Sequence, residues 1–156
     1  MKKIILVIML CLSSIIFAEG KKAEDFLLKD QYGVEQSLEK YRGKIVFLNF
    51  WVSWCSTCRG EADIKKEIYS KYGKNSGDVI FLGVNNEELP TVKGYINQKR
   101  FNIPTVLGAN ELFKIYEIKH YPTTFVIDRE GNIVEVLEEK KLNFEIVEEL
   151  IERVNK

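Results

Sequence analysis

The chain has 156 residues, the length of one ordinary domain, and its 46% apolar and 29% charged residues describe a globular composition rather than a disordered one. Its 23 basic and 23 acidic residues cancel, which excludes a nucleic-acid binder that works through a basic surplus. Three cysteines and a single histidine are too few for a disulfide scaffold or a cluster of structural zinc sites.

The first segment reads as an address. Lys2 and Lys3 precede an apolar run from Ile4 to Ala18 that is broken only by Ser13 and Ser14, and the run ends in a small residue. At about 1.5 Å per helical residue the run falls short of a bilayer core of about 30 Å. The expectation is therefore a signal peptide over residues 1–18, cleaved after Ala18, with an uncleaved anchor as the alternative. Cys11 is not read as a lipidation site, because Leu10 before it is not small. Cleavage leaves residues 19–156 as a single domain with 21 basic and 23 acidic residues, a charge of −2, and two cysteines, Cys55 and Cys58. Such a protein works outside the cytoplasm, where thiols meet oxidants.

Residues 25–42 suggest a short hairpin around Tyr32-Gly33, followed by a turn at Arg42-Gly43. Ile45 to Trp51 is almost continuously apolar, as in a strand buried on both faces. From Ser56 to Tyr72 the apolar spacing is helical, and Gly73 is the expected stop. Val79 to Val84 reads as a second buried strand, and Pro90 to Lys99 as a helix with proline in its first turn. Ile103 to Leu107 reads as a short strand and Leu112 to Ile118 as a short helix. Thr123 to Asp128 and Ile133 to Leu137 are strands joined by Arg129-Glu130-Gly131-Asn132, and Leu142 to Val154 is an amphipathic helix. Strands alternating with helices and then a closing hairpin predict an α/β sandwich with a mixed central sheet.

Chemistry concentrates in Trp54-Cys55-Ser56-Thr57-Cys58. Two cysteines three apart stand where a buried strand gives way to a helix. A cysteine at a helix N-terminus meets unsatisfied backbone N–H groups that favour its thiolate. Cys58, one turn further in, is expected to be less accessible. That asymmetry suits disulfide exchange: Cys55 attacks a partner disulfide and Cys58 then releases the partner. Trp51 and Trp54 are expected to form an apolar rim. Half a zinc site is disfavoured because His120 is alone, and haem attachment fails because residue 59 is Arg. A purely structural disulfide closing so short a loop would stabilise little. Glu61, three residues beyond Cys58, is either a first-turn acid stabilised by the helix dipole or a carboxylate that exchanges a proton with Cys58. His120, Lys44, Arg59 and Lys119 read as surface residues, and Tyr121-Pro122 reads as an ordinary proline before a strand.

With these residues in hand, the chain resembles thioredoxin-fold proteins, and among them the extracytoplasmic TlpA- and ResA-like thiol-disulfide oxidoreductases. Phe50-Trp51, Trp54-Cys55, Cys58 and Glu61 fit that family's WCxxCxxE motif, Tyr121-Pro122-Thr123-Thr124-Phe125 fits its cis-proline segment, and Asp25 to Lys44 is similar to its N-terminal hairpin. The resemblance implies a three-layer thioredoxin-like sandwich in which Pro122 is cis and faces Cys55. It implies that Cys55 is the nucleophile, Cys58 the resolving thiol and Glu61 a proton carrier, with Trp54, Tyr121 and Pro122 against the bound partner. It implies no cofactor beyond the Cys55–Cys58 disulfide. The partners it implies are disulfide-containing extracytoplasmic proteins, such as apocytochrome c or oxidised envelope proteins, and a membrane electron donor acting on a monomer. Thr57 stands where the family commonly has proline, which leaves open whether the protein reduces disulfides or introduces and shuffles them. Asn49 stands where thioredoxin has a buried aspartate, and an amide cannot move a proton, which favours Glu61 for that task. A peroxiredoxin-type peroxidase lacks its proline ahead of the cysteine, and a binding module stapled by the cysteines is the non-enzymatic alternative.

Overall fold

The computed structural model of the chain describes residues 20–156. The expected signal peptide, its cleavage after Ala18 and Cys11 lie outside the described residues. Strands β1 (Leu28–Lys29) and β2 (Glu35–Gln36) form the expected antiparallel hairpin. Its turn is organised by Asp30, whose carboxylate accepts the N–H groups of Tyr32 and Val34 at 2.9 and 3.0 Å and the side-chain amide of Gln36 at 2.8 Å.

Five strands make the main sheet: β3 (Ile45–Phe50), β4 (Val79–Val84), β5 (Thr105–Val106), β6 (Thr123–Ile127) and β7 (Ile133–Glu138), in the order β5-β4-β3-β6-β7. The pairs β3–β4 and β4–β5 are parallel, and β6 and β7 run antiparallel. This is the mixed sheet expected from the element order. Every residue of β3 and β4 is buried, because both strands lie inside the sheet under cover on both faces. Gly83 is needed where β4 meets β5: a Cβ there would stand 2.4 Å from Thr105 Oγ1 and 2.9 Å from Trp51 Nε1.

Among the described residues five α-helices flank the sheet: α1 (Ser56–Gly60), α2 (Ala62–Lys71), α3 (Leu89–Lys99), α4 (Asn110–Ile115) and α5 (Phe144–Val154). Side-chain alternation along β3 separates the two faces. Phe50 packs against Phe113 of α4, with ring centroids 5.2 Å apart. Asn49 points the other way and meets Lys65 of α2 at 2.7 Å. Helix α2 stops as expected: Gly73 takes φ +77°, its N–H bonds to Ser70 O, and Lys74 N–H reaches back to Tyr69 O, the Schellman arrangement. At the other end of the chain, Asn143 caps α5 by accepting the Ile146 N–H at 2.9 Å.

The helix expected to run unbroken from Ser56 to Tyr72 is interrupted at Glu61, which has φ −101° and ψ 0° and both ends α1 and begins α2. Gly60 adds backbone freedom at the break. The Glu61 carboxylate is held by the Leu142 N–H, 81 positions away, a tertiary contact that a periodicity argument does not register.

Candidate functional site

The site forms where β3 and β4 end. Trp51 continues the ladder by donating its N–H to Val84 O at 3.1 Å, and the chain then turns through 52–55 into α1. Cys55 is the N-cap of α1, and its Sγ accepts the Cys58 N–H at 3.0 Å. A sulfur that carries negative charge at this position gains a hydrogen bond as well as the favourable end of the helix. Cys55 and Cys58 are joined as a disulfide, with Cα atoms 5.2 Å apart. The expected difference in accessibility is small, since Cys55 is 8% and Cys58 5% exposed.

The peptide bond between Tyr121 and Pro122 is cis, as the resemblance implied. Tyr121 O lies 3.7 Å from Cys55 Sγ, so the segment before β6 faces the first cysteine. Trp54 stands 64% exposed and packs its edge on Tyr121, with centroids 5.4 Å apart at 84°. Burial, and after it the charge of Glu87, holds the Tyr121 hydroxyl above the usual tyrosine pKa. Trp54, Tyr121 and Cys55 therefore share one surface. Trp51, expected at the rim, is instead buried against Tyr95 and Phe101, because it extends the line of β3 while Trp54 stands in the turn beyond it. His120 lies at the surface, 3.7 Å from Glu139.

Glu61 is 1% exposed and paired with Lys65, itself 6% exposed. Its Oε2 accepts the Leu142 N–H at 3.1 Å, and its Oε1 faces the Lys65 ammonium. Lys65 also donates to Asn49 Oδ1 at 2.7 Å, and Asn49 Nδ2 donates to Thr124 Oγ1 at 2.8 Å. Glu61 stands at the N-cap of α2, where either reading of it places the carboxylate, and it is buried there. A buried polar chain runs from the segment before α5, through Glu61 and Lys65 of the α2 turn and Asn49 of β3, to Thr124 of the strand that follows Pro122.

Two groups in the site escaped the sequence reading. Lys65, within the expected helix from Ser56 to Tyr72, was not singled out. Glu87 lies just beyond β4 and accepts the N–H and the hydroxyl of Ser53, each at 2.6 Å, and Asn85 Nδ2 at 2.9 Å. Asn85 Nδ2 also reaches Trp51 O at 3.1 Å. The signal that could have found Glu87 is its place at the carboxyl end of a parallel strand beside β3, where α/β sheets gather their sites. Among the described residues, no group of three or more His, Cys, Asp or Glu side chains is arranged to hold a metal.

Residues 18–151 match the redoxin family. The thiol-disulfide oxidoreductase ResA of Bacillus thuringiensis is 30% identical over 136 residues, 86% of this chain and 78% of the relative. ResA of Bacillus subtilis is 31% identical over 121 residues, 77% of this chain and 67% of the relative. The crystal structure of StoA from Bacillus subtilis superposes with a TM-score of 0.72 at 28% identity, covering 82% of this chain and 96% of that one.

Proposed function

The chain belongs to the redoxin family and is a thiol-disulfide oxidoreductase, and from that premise we propose that it reduces disulfides in proteins outside the cytoplasm. The observation that carries the proposal is the placement of Cys55: first residue of the motif, capping α1, and 3.7 Å from the carbonyl of Tyr121 before the cis-proline. In the reduced protein the Cys55 thiolate attacks one sulfur of a partner disulfide, and a mixed disulfide forms. Cys58 loses its proton to Glu61 and attacks Cys55 Sγ, and the partner leaves as a thiol. Trp54, Tyr121 and Pro122 are the surface that receives the partner chain. The redox group is the Cys55–Cys58 pair itself, and a membrane-bound donor restores the dithiol.

In the disulfide form the Cys58 N–H is the one donor that reaches Cys55 Sγ among the described residues. Residues 1–18 serve as a cleaved leader and residues 19–156 act as one domain. Apocytochrome c and oxidised envelope proteins are the partners in view. Among the described residues no helix is long and apolar enough to cross a membrane.

The test is the reduction potential of the Cys55–Cys58 couple, read by tryptophan fluorescence in dithiothreitol or glutathione buffers, since Trp54 adjoins Cys55. The expected value is at or below about −220 mV. A value between about −120 and −180 mV would make the protein an oxidant or isomerase.

A further inference from the structure

A buried ion pair that begins three residues beyond Cys58 asks for a reason other than stability. Replacing such a pair by apolar groups of similar volume is often neutral or stabilising, whereas removing one partner strands a charge. Glu61 and Lys65 form such a pair, one helical turn apart, and neither is in contact with bulk water. Lys65 is not free to swing: its ammonium is fixed on one side by Glu61 and on the other by Asn49 Oδ1 at 2.7 Å, and Asn49 is fixed by Thr124 of β6. Burial pushes the Lys65 ammonium below its ordinary pKa, and the facing Glu61 carboxylate works against that push.

We propose that Lys65 is a positioning residue of the exchange reaction, supplying the fixed counter-charge that keeps the buried Glu61 carboxylate ionised and aimed so that it can take the proton of Cys58. This rests on the reading in which Glu61 is that proton acceptor. A buried carboxylate without a counter-charge takes up a proton instead of staying charged, and a protonated Glu61 has no room for a second one. With Lys65 in place the step balances. Cys58–SH gives its proton to the Glu61 carboxylate. The Cys58 thiolate attacks Cys55 Sγ, the Cys55–Cys58 bond forms, and the bond from Cys55 to the partner sulfur breaks. The partner leaves as a thiolate and is protonated from solvent, two electrons having passed to it from the dithiol.

The other groups packed around the pair do not replace Lys65. Tyr95 of α3 feels the Glu61 charge through a phenol whose pKa is itself raised, first by burial, so it is neutral. Asn49 and Thr124 are uncharged, and the segment before α5 offers the Leu142 N–H, a dipole. Lys141 directs its ammonium toward Gly60, 3.8 Å from where a Cβ would stand, rather than toward the carboxylate.

The experiment mixes the reduced protein with Ellman's disulfide and follows two releases of thionitrobenzoate. The first reports attack by Cys55 and the second reports attack by Cys58. In Lys65→Met the first phase stays within about twofold, the second slows about tenfold at pH 7, and raising the pH restores it. In Glu61→Gln the second phase slows and loses its pH inflection, and adding Lys65→Met to that variant changes nothing further. A Lys65→Met second phase with the wild-type pH profile overturns the role of Lys65. A Glu61→Gln second phase equal to wild type overturns the Glu61 reading beneath it. Should Lys65→Met not fold, the double variant carries no stranded charge, and a second phase differing more than about threefold from Glu61→Gln alone overturns the proposal.

Discussion

Glu87 receives both donors of Ser53, the backbone N–H on Oε2 and the hydroxyl on Oε1, each at 2.6 Å. The loop between β3 and Cys55 is therefore tied to the end of β4 by a carboxylate 34 positions away. Asn85 fixes that carboxylate in turn by donating its Nδ2 to Glu87 Oε2 at 2.9 Å, and its Oδ1 accepts the Glu87 N–H at 2.8 Å. Charge-assisted hydrogen bonds of this kind are stronger than neutral ones. Replacing the charge while keeping the shape isolates their worth. Glu87→Gln is expected to lower stability by about 1–2 kcal/mol, seen as a lower urea midpoint at unchanged slope, and to alter Trp54 fluorescence in the folded state. An unchanged midpoint and spectrum would show that the loop is held by other contacts.

The two cysteines are expected to fail differently. Cys55→Ser abolishes exchange with a protein disulfide. Cys58→Ser leaves the first attack intact and removes the group that ends it, so a mixed disulfide with the partner accumulates, visible as a dithiothreitol-sensitive adduct on a non-reducing gel. Equal behaviour of the two variants would contradict the assigned order of attack.

Gly83 is set against Thr105 and Trp51. Thr105 is buried and its hydroxyl donates to Ile103 O at 3.0 Å, so it has nowhere to retreat. Gly83→Ala is expected to cost about 1–3 kcal/mol through overpacking. Because Trp51 leads into the active loop, the unfolding midpoint and the Trp51 emission are expected to shift together. Wild-type stability in this variant would mean that β5 moves freely away from β4.

Tyr116 offers a test at alkaline pH. It is buried, and its hydroxyl donates to Glu24 O at 2.7 Å. Burial first, then the charges of Glu24 and Asp25, raise its pKa well above the ordinary tyrosine value. A folded-state pKa above the unfolded one contributes stability that is fully present below about pH 10 and is lost as pH rises beyond it, because only the unfolded chain then releases the proton readily. Tyr116→Phe is expected to cost about 1 kcal/mol near pH 7 and to make the loss of stability above pH 10 shallower. Parallel curves for the two proteins would assign the alkaline loss to other tyrosines, of which Tyr41, also raised by burial, is the first to examine.

Read alone, the residues already carried the frame. The unbroken apolar run of β3, the helical spacing of α5, the glycine stop at Gly73 and the turn before β7 all report local backbone preference, and local preference survives into the fold. The cysteine motif was equally legible, since its chemistry depends on a spacing of three and a strand-to-helix junction. The contacts that complete the site were not. Cys55 meets Tyr121 across 66 positions, Ser53 meets Glu87 across 34, and Glu61 meets Leu142 across 81. Lys65 drew no notice because a lysine is buried only when paired, and its partner Glu61 is held where the helix breaks and where the segment before α5 meets it. Polar partners leave no periodic trace in a sequence. They are chosen when the sheet and helices close around them, because a buried charge must find its counterpart wherever the fold has placed it.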